Sequence, residues 1–264
     1  MGKIRRIVGS LFRRPIDFSD QLRTEPISRK FGFDRGCPID RYYIDSFLKQ
    51  NQNLITGSVL EIAESTYSKQ FGHDIASYEV LHYDDSNKKA TIVGDLTKPE
   101  TLPKERIDCF ICTQTLNFIF DVPKAIEGSY KVLKQGGTLL CTVSGISQIS
   151  RYDMDRWGDY WRFTDLSIRK LMESVFGEGN VEIVTFGNAL AATAFLQGLA
   201  IDDLPDTSLL DKKDLDYQIT IGIKATNAEK IITIYIRSFN LFIISRFCYI
   251  GEFDLFFGVI FPFR

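Results

Sequence analysis

Three acidic residues stand where they could bind the polar groups of a small ligand. Glu61 closes one short apolar segment, Asp84 follows the next, and Asp95 follows the third. If these segments are parallel strands, their carboxyl ends lie along the sheet edge at which α/β folds bind ligands. Carboxylates at that edge accept hydrogen bonds from ammonium, amino and ribose hydroxyl groups. This edge is therefore the first candidate site.

The long loop 144–163 holds a second set of side chains suited to chemistry, including both tryptophans of the chain. Loops of this length in compact domains usually bind ligands or cover sites. An aromatic ring suits the mixed surface of a sugar, and a carboxylate could remove a hydroxyl proton. The candidate bases are Asp153, Asp155 and Asp159, and the candidate acceptor-binding residues are Arg151, Trp157, Tyr160 and Trp161. An ion-pair network that only orders the loop would have the same composition.

Two further candidates, Arg35 and Tyr43, flank the start of a helix predicted near Pro38, because proline is favoured in a first helical turn. A helix placed before the first strand could lie across the ligand site, in which case Arg35 and Tyr43 would contact the ligand. It could equally do no more than cover the sheet.

The elements that position these residues alternate between strands and helices. Strands are predicted over residues 59–63, 79–83, 90–93, 107–112, 138–143, 181–186 and 217–223. Helices are predicted from Pro38, over 65–71, from Asp121 to Leu133, from Asp165, and over 189–200. This alternation predicts an α/β fold with a mostly parallel seven-stranded sheet, helices on both faces, and an antiparallel pair of late strands.

Composition divides the chain of 264 residues into a basic segment over 1–30, one domain over 31–226, and an aromatic-rich tail over 227–264 whose role is open. Apolar and basic residues at helical spacing in 1–14 predict an amphipathic helix. That helix could dock on the domain or make peripheral contact with an anionic membrane surface. Every apolar run in the segment and the tail is too short for a membrane span.

Charge and cysteine content argue against several classes of protein. With a formal net charge of −2, a nucleic-acid partner is not expected. Five scattered cysteines suit the reducing cytoplasm, which is the expected location. Cys109 and Cys112 would point to opposite faces of a strand, so neither a zinc site nor a redox pair is expected there.

Five stretches resemble the class I S-adenosylmethionine-dependent methyltransferases: 59–63, 94–96, 107–116, 132–140 and 159–164. The chain looks most like bacterial members found alongside glycosyltransferases in surface polysaccharide synthesis, which have parallels to 35–44 and 146–164. The resemblance implies a Rossmann-like methyltransferase fold with S-adenosylmethionine as the cofactor. The implied cofactor-binding residues are Glu61, Ala63, Tyr67, Asp84, Asp95, Leu96, Thr113 and Gln114. The carboxylates of Glu61 and Asp84 suit the ammonium group and the ribose hydroxyls of this cofactor, and Asp95 suits the adenine amino group.

The expected function is O-methylation of a sugar or a related small acceptor. A non-catalytic relative that has lost its cofactor is the alternative, since Ala63, Ser65 and Tyr67 stand where such folds usually have glycine. An oxidoreductase that binds a dinucleotide or a nucleotide sugar would explain the acidic strand ends but not the crowded turn. If none of the loop aspartates is the base, His73 and His82 are the next candidates.

Overall fold

Seven strands form one sheet in the computed structural model, which describes residues 23–228. They are β1 Gly57–Ile62, β2 Ile75–His82, β3 Ile92–Val93, β4 Ile107–Thr113, β5 Leu133–Ser144, β6 Val181–Phe186 and β7 Thr220–Thr226. Their spatial order is β3-β2-β1-β4-β5-β7-β6. Strands β1 to β5 pair in parallel, whereas β7 is antiparallel to both β5 and β6. The predicted Rossmann-like sheet and its antiparallel closing pair are confirmed.

Six α-helices accompany the sheet in the described part of the chain: α1 Ile39–Gln50, α2 Thr66–Phe71, α3 Val122–Val132, α4 Arg151–Met154, α5 Asp165–Phe176 and α6 Ala189–Leu196. Short 3-10 turns lie at Gln52–Leu54, Pro99–Thr101, Leu116–Phe118, Ile201–Asp203 and Thr207–Asp211. Among residues 23–228, no helix has the length and apolar character needed to cross a membrane.

Helices cover both faces of the sheet because successive strand side chains point in opposite directions. In β4, Phe110 and Cys112 belong to the core on the side of α3 and α5, whereas Cys109 and Ile111 belong to the core on the side of α1 and α6. All four are buried, as in a parallel strand covered on both faces. The predicted separation of Cys109 from Cys112 onto opposite faces is confirmed.

Helix α5 shows how local sequence sets the element bounds. Thr164 is its N-cap and forms a capping box with Ser167, which satisfies backbone N–H groups at the helix start. The buried residues Ile168, Met172 and Phe176 recur every four positions and form the stripe that faces the sheet. The helix begins where the sequence predicts it.

Strand order reverses between β1 and β4, which are adjacent in space although β2 and β3 come between them in the chain. Loops that leave the carboxyl ends of β1 and β4 therefore run to opposite sides and leave a crevice between them. Glu61 lies next to the carboxyl end of β1, His82 ends β2 and Thr113 ends β4. The topology thus brings together the strand ends that the sequence singled out.

Several predicted bounds differ from the structure. The last strand begins at Thr220 and runs to Thr226, and the predicted helix over 189–200 ends at Leu196. Ser28 is buried, and its backbone N–H donates to the carbonyl of Gln197 at 3.0 Å, so the folded unit begins before residue 31. The proposed amphipathic helix over 1–14 and nearly all of the tail over 227–264 lie outside the described residues.

Candidate active site

A cavity of about 760 Å³ opens at the carboxyl ends of β1, β2 and β4. Its volume is in the range of cofactor and small-molecule sites. One wall comes from the segment around α1, and the opposite wall comes from the loop 144–162. Its lining includes Asp40, Arg41, Glu61, Ala63, Tyr67, Tyr83, Leu96, Gln114, Asp153, Arg156 and Trp157.

Glu61 lies at the base of the cavity but is largely occupied by other contacts. Its carboxylate accepts hydrogen bonds from the backbone N–H groups of Tyr67 at 3.0 Å and Ser68 at 2.7 Å, and from the Ser68 hydroxyl. It therefore caps the N-terminus of α2. Burial raises the pKa of Glu61, and the bonds from Ser68 and Tyr67 act against this rise. The side chain predicted to bind the ammonium group of a cofactor mainly holds the turn after β1.

Ala63 follows β1 with φ of 66°, the left-handed conformation in which glycine is favoured. Its backbone N–H donates to the carbonyl of Leu81 at 3.0 Å, and its carbonyl accepts from the side chain of Asn87 at 2.7 Å. Both contacts hold Ala63 in this conformation. The turn therefore keeps the backbone shape of a glycine turn with a methyl group added at the cavity wall.

Replacing Ala63 by glycine should raise the free energy of unfolding by roughly 0.5–1 kcal/mol, because relief of the left-handed strain outweighs the added backbone entropy of glycine. Urea denaturation measures this change. The matched control is Ala76→Gly, since Ala76 is exposed in β2 and its φ is not positive. The control should lose stability, and a loss in Ala63→Gly as well would contradict the strain.

Asp84, which follows β2, does not point its carboxylate into the cavity as predicted. Its carboxylate turns into its own loop, where it accepts from the backbone N–H and hydroxyl of Ser86 at 3.0 and 2.6 Å. Hydrogen bonds from Ser86 and Tyr83 lower the pKa of Asp84 to about 2. Asp84 does not line the cavity, whereas its neighbours His82 and Tyr83 do. The prediction that Asp84 contacts the cofactor is therefore not supported by the placement of its side chain.

Asp95 and Leu96 lie where the sequence placed them, at the cavity edge after β3. Asp95 Oδ1 accepts from the backbone N–H and hydroxyl of Thr97, both at 2.8 Å, and Oδ2 lies 3.5 Å from Lys98 Nζ. Leu96 is buried and gives this end an apolar surface. An apolar surface beside a carboxylate suits a flat heterocycle with an amino group.

Thr113 and Gln114 also line the cavity, as predicted. Gln114 has φ of 49°, and its Oε1 accepts from Asn117 at 3.0 Å and from the Ser144 hydroxyl at 2.7 Å. Its Nε2 is buried without a hydrogen-bond partner among the described residues. A buried unpaired amide is costly, so this group is suited to a ligand that supplies an acceptor.

In the loop 144–163, three of the predicted residues line the cavity: Asp153, Trp157 and Asp159. The Trp157 backbone N–H donates to the Asp153 carbonyl at 2.7 Å. The Asp153 carboxylate accepts at Oδ2 from the Ser150 hydroxyl at 2.6 Å. Its Oδ1 has no partner in the described part of the chain. Trp157 is 47% exposed, and its ring forms a T-shaped pair with Tyr83 at 5.3 Å, so part of the indole is accessible to a ligand.

Asp159 has a structural role that the alternative interpretation of the loop anticipated. Its side chain is only 1% exposed and accepts from Arg162 Nη1 at 2.6 Å and Nη2 at 2.9 Å, and from the Ser150 backbone N–H at 2.9 Å. Burial raises the pKa of Asp159, but the bonds from Arg162 and Ser150 outweigh it and hold the pKa below its ordinary value. With both oxygens bonded, Asp159 is a poor base.

The remaining loop candidates lie away from the cavity. Asp155 and Arg151 are exposed and do not line it. Trp161 Nε1 donates to the carbonyls of Ile119 and Phe120, and its ring stacks on Phe120 at 5.9 Å. Tyr160 meets the same Phe120 edge-on at 5.4 Å. These aromatics form an exposed platform of Phe120, Tyr160 and Trp161 outside the cavity.

Neither predicted contact around α1 reaches the cavity. Tyr43 is 1% exposed, stacks on Phe186 at 5.5 Å, and donates its hydroxyl to the Leu210 carbonyl at 3.1 Å, so it is a core residue. Arg35 makes a two-pronged ion pair with Asp203, with both distances 2.7 Å, and ties two surface segments together. The predictions that Tyr43 and Arg35 contact a ligand are corrected by these placements.

The structure adds residues that the sequence interpretation missed. Asp40 and Arg41, in the first turn of α1, face the cavity, and Arg41 Nη1 donates to the Tyr67 hydroxyl at 2.5 Å. Burial raises the pKa of Tyr67, and the nearby Arg41 opposes the rise. Arg156 lines the opposite wall and lies 3.5 Å over the Tyr152 ring. Asp40 and Arg41 lie in the first turn of the helix predicted from Pro38, which was the available signal.

Comparison with known proteins gives one family match. A family of proteins described as "Methyltransferase domain" matches residues 55–141, which include β1 to β4 and most of β5. This part of the chain is therefore similar to a methyltransferase domain. No curated protein matches the sequence.

Three solved structures illustrate the similarity in fold. A S-adenosylmethionine-dependent methyltransferase from Archaeoglobus fulgidus is 11% identical, with a TM-score of 0.45 over 70% of this chain and 94% of that one. A possible histamine N-methyltransferase from Thermotoga maritima is 16% identical, with a TM-score of 0.47 over 72% and 91%. Phosphoethanolamine N-methyltransferase 2 of Haemonchus contortus, in complex with S-adenosylmethionine, is 14% identical, with a TM-score of 0.47 over 71% and 53%.

Proposed function

We propose that this protein is an active methyltransferase that transfers a methyl group from S-adenosylmethionine to a hydroxyl group of a saccharide or a related small polar acceptor. The observation that carries the proposal is one cavity at the strand ends of the methyltransferase domain, with an accessible tryptophan and a partly unpaired carboxylate in its opposite wall. The acceptor class rests on that wall and on the resemblance to enzymes of surface polysaccharide synthesis.

The residues along the sheet edge fit the parts of the cofactor. Leu96 and Asp95, which follow β3, suit an adenine ring, because one offers an apolar surface and the other a carboxylate that can accept from the adenine amino group. At the end of β2, the cavity is lined by Tyr83 and His82 and not by Asp84. When bound, S-adenosylmethionine supplies an electrophilic methyl group on its sulfonium.

The acceptor wall has the two properties that a sugar requires. The accessible part of the Trp157 indole can stack on the apolar face of a sugar ring. Asp153 can accept the proton of a hydroxyl group at the free oxygen of its carboxylate, because only Oδ2 is bonded, to Ser150. A neutral hydroxyl is a weak nucleophile, so a carboxylate at this place has a chemical role. The platform of Phe120, Tyr160 and Trp161 lies on the same loop system and offers a surface for further sugar units.

Binding of S-adenosylhomocysteine, measured by titration calorimetry, tests the cofactor half of the proposal. We expect saturable binding by the folded wild-type protein and an increase in melting temperature, because a ligand that binds only the native state stabilises it. Absence of both heat and thermal shift would favour the non-catalytic alternative.

The acceptor half is tested by release of S-adenosylhomocysteine in the presence of monosaccharides and oligosaccharides that differ in which hydroxyl is free. Methylation of at least one sugar hydroxyl is expected. If the protein binds the cofactor but methylates only amine or carboxylate acceptors offered in the same assay, the acceptor class is wrong.

A further inference from the structure

Arg41 is a cation at the cavity that forms no ion pair within 4.0 Å in the described part of the chain, although the charges of Asp40 and Asp45 act on it from further away. Its guanidinium is partly buried, and Nη1 donates to the Tyr67 hydroxyl. No carboxylate lies within 4.0 Å of it among residues 23–228, although ten other ion pairs form in that part of the chain. Partial burial of an unpaired guanidinium costs free energy. A cation kept in this way at a cavity wall is suited to an anionic group of a ligand.

The preceding residue, Asp40, presents the opposite charge to the same cavity. The only hydrogen bond to its carboxylate is from the Arg41 backbone N–H at 2.9 Å, on Oδ1, and Oδ2 has no partner in the described residues. Burial raises the pKa of Asp40, which means that its ionised form is poorly solvated. A ligand cation beside Oδ2 would relieve this cost.

The two charges lie next to the turn at which the amino-acid end of the cofactor was expected. Arg41 contacts Tyr67, and the Tyr67 backbone N–H donates to Glu61 at 3.0 Å, so one chain of bonds joins α1 to the end of β1. Glu61, the residue predicted to bind the ammonium group, is already bonded to three donors of α2. The charged side chains that remain at this end are Arg41 and Asp40 on α1 and Glu64 in the turn after β1, and Arg41 is the cation among them. Asp40 is half-buried beside Arg41, whereas Glu64 is exposed.

We propose that Arg41 and Asp40 bind the zwitterionic amino-acid end of the cofactor, with Arg41 on its carboxylate and Asp40 on its ammonium group. This assignment rests on the proposed function. It moves the recognition of the amino-acid end from the turn after β1 to the first turn of α1. Glu61 keeps the shape of the turn and does not itself make the main contact.

The test compares two nucleosides, S-adenosylhomocysteine and 5′-methylthioadenosine, of which only the first has the amino-acid end. In Arg41→Gln, affinity for S-adenosylhomocysteine should fall roughly tenfold to a hundredfold, the range for a lost charge-assisted hydrogen bond. Affinity for 5′-methylthioadenosine should stay unchanged, which also reports that the variant is folded. Arg35→Gln is the matched control, since Arg35 is paired with Asp203 outside the cavity.

Asp40→Asn tests the other half, with Asp45→Asn as its control. Asp45 is on the same helix, and burial raises its pKa too, but it does not line the cavity. Of these two variants, only Asp40→Asn should have a lower affinity for S-adenosylhomocysteine. In the wild type this affinity should fall as the pH drops through the raised pKa of Asp40, because the protonated carboxyl no longer attracts an ammonium group. The fall should be absent in Asp40→Asn.

The outcomes separate the inference from the proposed function. If the wild type binds neither nucleoside, both fail. If it binds S-adenosylhomocysteine and the Arg41 and Asp40 variants bind it equally well, only the inference fails. If Arg41→Gln does not fold, Arg41→Lys is tested instead, since lysine keeps the charge but not the planar fork of the guanidinium. A loss of affinity for S-adenosylhomocysteine alone supports the assignment. An affinity for S-adenosylhomocysteine equal to that of the wild type overturns it.

Discussion

Replacing Asp153 by asparagine should lower the turnover number about a hundredfold or more, the usual contribution of a general base, while the affinity for S-adenosylhomocysteine stays the same. The amide keeps the shape of the side chain and can still contact Ser150, but it cannot take a proton. Because Asp153 is only partly buried and makes one side-chain contact to Ser150, the melting temperature should change little. The measurement is steady-state methylation of the best saccharide acceptor at saturating cofactor.

Asp155→Asn is the matched control, because Asp155 belongs to the same loop but is exposed and outside the cavity. It should retain the wild-type rate. If Asp153→Asn also retains that rate, Asp153 is not the base, and His82 becomes the residue to test. His82 lines the cavity, whereas His73 is exposed ahead of β2, at the opposite end of the strand.

The sheet was predictable because strands covered on both faces are encoded as continuous apolar runs. The run over 107–112 is one such case: it lies in β4, and every residue of the run except Asp108 is buried. Once the strands and their parallel order are known, topology alone brings Glu61, Thr113 and Gln114 to one edge. This is why most of the predicted cofactor-binding residues line the cavity.

The individual roles of these residues depended on partners that sequence order does not reveal. Arg41 and Tyr43 lie two positions apart on α1, so they point to different sides of the helix. Which side meets the sheet depends on how α1 packs against Phe186 and β7. Tyr43 was predicted to contact the ligand, but tertiary packing buries it against Phe186 and places Arg41 at the cavity.

The loop aspartates show the same division between what was predictable and what was not. Asp159 forms an ion pair with Arg162, and the alternative of a network that orders the loop holds for it. Helix α4 spans only four residues, so no periodicity in the sequence distinguishes Asp153 from Asp155. Only the structure separates the aspartate at the cavity from the one in solvent.

Replacing Asp159 by asparagine should lower the free energy of unfolding by roughly 2–3 kcal/mol, because one partner of a mostly buried ion pair is removed and Arg162 is left uncompensated. This expected loss is smaller than for a fully buried ion pair, because Arg162 is 28% exposed and asparagine can still accept one hydrogen bond. For a domain of this size the melting temperature should fall by about 5–10 °C. Thermal unfolding followed by circular dichroism measures the loss, and Asp155→Asn should melt as the wild type does.

The pH dependence of this loss identifies its cause. The pKa of Asp159 is lower in the folded protein than its ordinary value of 3.8, so its stabilising contribution is present above that value and disappears as the pH falls through the folded pKa. The difference between wild type and Asp159→Asn should therefore be full at neutral pH and shrink below about pH 4. A difference that stays constant through this range would mean that the lost stability comes from packing or from the Ser150 contact. An ionic cause would also appear as coupling in a double-mutant cycle, in which Arg162→Met costs much less in the Asp159→Asn background than in the wild type.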